Sequence, residues 1–437
     1  MRPILAVLLV AACGTVCIAD GRPDPYDALY DVIMVRTQAD DQADADPVSP
    51  LLWTNSEYLV SDGTLPKLLQ SLAEFNALSR DQIESYPALN RAILQHHLWT
   101  VFDWTTQPGL STGDDPRVLP SKLRKMQSAL AVALGKLALS DAEIQRLPNP
   151  LTATAATGKF STNYNADESK QPFLPNDILE DGGPWVCLSK VDHSVPAIVH
   201  TESVAARSAF HILIRLPEGR AAALKYVAEL ATLRTPWSPG KQAPYTEIRE
   251  HPAMRELDYH DNPLTPQFPI GTQFALVEQA LLINDSGNLT LSPLVHRVQL
   301  RAYLNVDIDR RRNGPAIGPS QAVSEFVMLP REMMRGNVPM RPIAAEEIHH
   351  TTIFRSDDPI ENPPPGAKVW HPRLNSCTTC HSGAGIHSVT SRFELFQRRR
   401  LVPPRYSSAA AEQIGAATIK MKRGMYSWGL LQGLLAE

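Results

Sequence analysis

Residues 271–308, GTQFALVEQALLINDSGNLTLSPLVHRVQLRAYLNVDI, constrain the fold more than any other stretch of this chain. Two runs rich in Val, Leu, Phe and Tyr flank the turn residues 284–288, the signature of two long antiparallel strands. A lone hairpin is marginal in water, so the chain must supply more strands or a helical layer to cover it. SAFHILIRL at 208–216 reads as a buried strand, and QAVSEFVMLP at 321–330 as a further one. Between them, PEGRAAALKYVAELATL at 217–233 reads as a helix with proline at its start.

The first third carries a different period. Leu65, Leu68, Leu69 and Leu72 share one helical face. Leu94, Leu98, Val101 and Phe102 make a second apolar stripe, and Leu123, Met126, Leu130, Leu134 and Leu137 a third. SRDQ at 79–82 and SDAE at 140–143 have capping-box spacing. His96 and His97 are adjacent; neighbouring helix positions point about 100° apart, so the pair reads as core or surface rather than as ligands to one ion. From 150 to 180 helical periodicity disappears into TATAATGKFSTNYNADESKQ, a linker or long loop.

The expected class is α+β: a helical N-terminal region, a mixed β-containing middle and a loop-rich C-terminal segment. The expected organisation is a signal peptide over 1–19, a linker over 20–63 and a helical region over 64–150. A linker or long loop over 151–180, a mixed α/β region over 181–335 and a C-terminal segment over 336–437, the one that carries Cys377, Cys380 and His381, follow. With 437 residues, 43% hydrophobic and 20% charged, the chain is globular and too long for one ordinary core. A net charge of -4 gives no basic field for nucleic acid.

MRPILAVLLVAACGTVCIAD opens with one positive side chain, Arg2, and an apolar run over 4–12, the form of a signal peptide. Two processing sites compete. Cys17-Ile18-Ala19 ends in the small residue a signal peptidase wants, and Val10-Ala11-Ala12-Cys13 matches a lipobox that would anchor Cys13 to a membrane. Export is therefore expected, with the lipid anchor as the sole membrane contact.

Of five cysteines, two lie in that leader, leaving Cys187, Cys377 and Cys380. Cys187 has no partner if the other two are used together, and reads as a small buried hydrophobe. Cys377, Cys380 and His381 form C-x-x-C-H. Two cysteines at this spacing reach one porphyrin edge through thioether bonds, and the following histidine reaches the iron. Zinc bound by Cys377, Cys380, His387 and a fourth group is a rival, as are a thiol switch and a plain disulfide.

At these three residues the chain resembles the c-type cytochromes. The resemblance implies one covalent haem c held by Cys377 and Cys380, with His381 as the proximal ligand. It departs from small cytochromes in its lead-in, ENPPPGAKVWHPRLNS, which proline bars from being one long helix. Gly383 and Gly385 follow in a loop that permits close backbone approach. Met425, beside Gly424, is the favoured sixth ligand, with Met421, His387 and His371 as alternatives and His349 and His350 behind them. Arg373 and the run Arg398, Arg399, Arg400 are candidates for propionate pairing, or a solvated basic run. The function this implies is one-electron transfer to a redox partner protein in a bacterial cell envelope. A peroxidase-like haem enzyme with an open iron, and an envelope binding module with a structural haem or zinc, are the alternatives. No G-x-S-x-G, H-E-x-x-H or P-loop points to another catalytic class.

Overall fold

The computed structural model describes residues 24–33, 63–106, 120–190, 195–232, 237–239, 259–261, 265–306, 320–344, 381, 384–389 and 406–437. In chain order the helices are α1 (Pro25–Ile33), α2 (Leu65–Asn76), α3 (Arg80–Glu84), α4 (Ala88–Thr105), α5 (Pro120–Lys136), α6 (Asp141–Gln145) and α7 (Pro150–Ala155). Strand β1 (Val186–Lys190), α8 (Ile198–Ser203), β2 (Ser208–Arg215) and α9 (Arg220–Thr232) come next. The short β3 (Trp237–Pro239) and β4 (Tyr259–Asp261) pair with each other. The chain continues through β5 (Gln273–Ile283), β6 (Leu289–Tyr303), β7 (Gln321–Met328), α10 (Pro330–Met334) and β8 (Met340–Pro342). It closes with α11 (Ile386–Val389), β9 (Tyr406–Ser408), α12 (Ala411–Arg423) and α13 (Tyr426–Ala436). The class is α+β, as the two sequence periods require.

Seven strands form one antiparallel sheet in the order β8-β7-β6-β5-β2-β1-β9. The β5–β6 hairpin is its spine. Its turn is held by the Asn284 carboxamide, whose oxygen accepts from the backbone N–H of Ser286 at 3.1 Å and Asn288 at 2.8 Å. Strand register separates the faces. Opposed residues share a face and successive residues alternate, so Leu188, Ile212, Leu276, Gln299 and Glu325 lie on one side.

The other side is apolar. Leu213, Ala275, Val277, Val298, Leu300 and Phe326 bury against Leu151, Phe173, Leu174, Ile178 and Trp185. Residues 151–180, expected as a linker or long loop, form a largely irregular strap whose Leu151, Phe173, Leu174 and Ile178 bury against the sheet; these large side chains are spaced without a period, so no repeat betrays their burial.

The helical region packs on the distal half of the hairpin. Leu68, Leu72, Leu94, Leu98, Trp99, Leu130 and Leu134 form one cluster with Leu281, Ile283 and Leu289. Gln95 completes the junction: its amide accepts from the Ile283 N–H and donates to the Ile283 carbonyl, both at 2.9 Å. Tyr26, Leu29, Tyr30 and Ile33 of α1 join the same cluster. The expectation of a linker over 20–63 is thus corrected over Pro25–Ile33, where four apolar residues at helical spacing outweigh the acidic context. From the far end of the chain, Trp428 and Leu431 of α13 enter this core as well. Among the described residues no helix is long and apolar enough to cross a membrane.

Candidate functional site

Of the C-x-x-C-H residues, His381 is described; Cys377 and Cys380 lie outside the described residues, as do Cys13, His349, His350, His371, Arg373 and Arg398, Arg399 and Arg400. His381 stands beside the start of β7, on the face of the sheet that carries Gln299 and Glu325. Its main-chain carbonyl accepts from Gln321 Nε2 at 3.0 Å. Its ring Nδ1 lies 2.6 Å from the Ser388 carbonyl. A carbonyl only accepts, so Nδ1 carries the proton and the neutral ring keeps its lone pair on Nε2. This is the arrangement that orients a metal-binding imidazole.

The partner carbonyl is itself held firmly. Ser388 Oγ donates to the Gly385 carbonyl at 2.8 Å and also meets the Tyr303 hydroxyl. Gln267 clamps the start of α11, accepting from the Ile386 N–H at 2.8 Å. Gly385 makes the clamp feasible: it sits at φ +53°, and a Cβ there would lie 2.0 Å from Gln267 Oε1.

Facing His381 is His200 of α8, a residue that nothing in the sequence singles out. The two rings lie 6.2 Å apart, centre to centre, with planes 12° from parallel. Phe210 flanks His200 at 5.7 Å. Among the described residues neither ring nitrogen of His200 has a hydrogen-bond partner, and Nε2 of His381 has none. Burial, reinforced by positive neighbours, pushes the pKa of His381 down to about 3 and that of His200 to about 4. For His381 that neighbour is Arg301, with repulsion from His200 added only where His200 is itself protonated; for His200 they are Arg297 and Arg301. Both rings are therefore neutral at physiological pH, the state a metal ion requires.

The floor of the site is a buried polar stripe on β6 and β7. Arg297 pairs with Glu325, and Gln299 Nε2 donates to Glu325 Oε2 at 2.7 Å. Arg301 is different. It donates to Gln299 Oε1 at 2.8 and 3.0 Å and to Gln321 Oε1 at 3.2 Å. Those partners are neutral amides, and no carboxylate among the described residues is within ion-pair distance of this buried guanidinium. A buried guanidinium with only neutral partners among the described residues can accept an anionic group. A signal for this stripe existed in the sequence: Arg297, Gln299 and Arg301 alternate with apolar residues. Such alternation ordinarily marks a solvated face.

The remaining candidates fall elsewhere. Met425 caps the start of α13, and Met421 lies in the preceding helix, with the pair of helices packed against α5, β2 and β6. His387 is buried within α11, behind the Ser388 carbonyl that orients His381. Cys187 is a free thiol on β1 whose pKa burial pushes up to about 12, consistent with an inert packing residue. Among the described residues no group of three or more His, Cys, Asp and Glu is arranged to hold a metal ion.

A second buried polar cluster lies between α4 and the sheet. Ser208 Oγ is 3.0 Å from His296 Nε2, and Glu278 Oε1 is 3.6 Å from the same nitrogen. Both partners meet one ring nitrogen, so the histidine cannot relay a proton between them as an acyl-transfer triad does. No family model, curated protein or solved structure matches the chain.

Proposed function

We propose that the chain is an exported carrier of single electrons, with one haem c attached covalently through Cys377 and Cys380 and His381 as an axial ligand. The observation that carries this reading is the state of His381. It directly follows the second cysteine, is neutral, and has its Nδ1 proton committed to the Ser388 carbonyl. Nε2 is thereby the sole ring nitrogen left to bind a metal. Arg301 supports the same reading, since among the described residues its buried charge has no carboxylate partner. The haem supplies the one-electron chemistry; this chain's residues orient the ligand, lower the local polarity and limit water.

The N-terminal leader motif supports export, and covalent haem attachment needs an extracytoplasmic compartment. The test is expression with a c-haem maturation system, followed by a haem stain on a denaturing gel. A stained band is expected, lost in the Cys377→Ala, Cys380→Ala double variant. A colourless protein containing stoichiometric zinc would overturn the proposal.

A further inference from the structure

The geometry points to His200 as the second axial ligand, trans to His381, making a bis-histidine iron site. This rests on the haem reading above. With a metal–nitrogen bond of about 2 Å and a ring centre about 1.1 Å behind its nitrogen, two trans imidazoles stand roughly 6.3 Å apart between ring centres. The observed separation is 6.2 Å. Two imidazoles on a tetrahedral ion would stand about 5.1 Å apart by the same arithmetic, and a direct N–H···N hydrogen bond gives nearly the same short spacing. The pair is thus too far apart for a hydrogen bond or a tetrahedral zinc. Its separation and near-parallel planes match two rings on opposite sides of one ion.

Three further features agree. Both rings have a nitrogen without a hydrogen-bond partner among the described residues. Each ring has its own support, His381 from the Ser388 carbonyl and His200 from packing beside Phe210. Their elements are anchored independently, α8 against β2 and His381 to Gln321 of β7, so the gap is set by the sheet rather than by one loop. Met425 lies between α12 and α13, elements whose main packing is on α5, β2 and β6. His200 therefore replaces Met425 as the assigned sixth ligand.

A site with both axial positions filled by nitrogen neither exchanges ligands on reduction nor offers iron to peroxide. That fits an electron carrier and disfavours the open-iron enzyme.

The test uses the full-length holoprotein. The oxidised wild type should be low-spin, without the near-infrared sulfur-to-iron band. Its electron paramagnetic resonance signal should be rhombic, as for parallel axial rings. His200→Ala should become high-spin while keeping its covalent haem stain, and added imidazole should restore the low-spin spectrum. His200→Met should stay low-spin and gain the sulfur-to-iron band. Met425→Ala should leave every spectrum unchanged. A sulfur-to-iron band in the wild type overturns the assignment even if no His200 variant folds. So does a wild-type spectrum retained in His200→Ala. A wild type that carries no covalent porphyrin fails the underlying haem reading as well, and the stain separates that outcome from the other two.

Discussion

Asp103 is the residue on which the buried charges converge. Its Oδ2 accepts from Arg207 Nη1 and from Lys422 Nζ, each at 2.6 Å, and all three side chains are almost fully shielded. Lys422 also sits over the Trp99 ring at 5.0 Å. Removing the anion would leave two cations buried together. Asp103→Ala should therefore destabilise the fold by about 3–5 kcal/mol in urea titration, the range for breaking a buried pair. Lys422→Met removes one cation and leaves a matched pair, and should cost clearly less. Equal losses in the two variants would contradict this account of the cluster.

Buried histidines give a second residue-scale expectation. Burial pushes His97 down to about 3 and His211 to about 4. In the unfolded chain both titrate near the ordinary value of about 6.5. On acidification the unfolded chain takes up these protons first. Stability is therefore fully present above about 6.5 and is lost as pH falls toward 4 and then 3. Each group contributes up to about 1.4 kcal/mol per pH unit inside its window. Urea midpoints should fall between pH 7 and pH 5, and His211→Gln should flatten that slope. A midpoint that stays constant over the interval would refute the assignment of neutral buried rings.

Among the elements, short helices position more than their length suggests. Helix α11 has four residues, yet it supplies the carbonyl that orients His381. Gly385→Ala forces a Cβ into Gln267 at a positive φ, and should cost at least about 1 kcal/mol. Hydrogen exchange at the Ile386 amide should accelerate in this variant; unchanged protection there would show that the Gln267 clamp is dispensable. Helix α6 begins at a complete capping box, with Ser140 and Glu143 bonded reciprocally. Ser140→Ala should lower stability by about 1 kcal/mol.

These two helices mark what the sequence discloses and what it hides. The capping boxes at Ser79 and Ser140 and the leucine stripes at Leu68 and Leu130 are local signals, and the structure has them where the pattern puts them. The β5–β6 hairpin is equally local. His381 stands out because its neighbours in the chain are cysteines. His200 does not, since its meaning comes from pairing across the fold, and a lone histidine in PAIVHTES carries no periodic or motif signal. Arg301 misleads in the same way: alternation with apolar residues implies solvent, but here Gln299 and Arg301 are buried. Helix α1 was hidden by the acidic chain around it, although Tyr26, Leu29, Tyr30 and Ile33 hold the right spacing.

On the scale of the whole molecule, the C-terminal segment is built into the protein rather than appended to it. Strand β9 completes the edge of the sheet against β1, α11 supplies the carbonyl that meets His381, and the Trp428 ring lies tilted beside Trp99, 5.9 Å between centres. A cofactor attached at Cys377 and Cys380 would be bracketed on both sides by chain that belongs to the main sheet and the helical core. The central claim is the covalent haem, and mass spectrometry of one peptide tests it most directly. Trypsin cutting after Arg373 and Arg392 releases residues 374–392, which contain both cysteines and His381. Addition of two thiols across two vinyl groups expels no atoms, so this peptide should be heavier than its sequence by one intact haem. The same peptide with no porphyrin and two thiols open to alkylation would contradict the account.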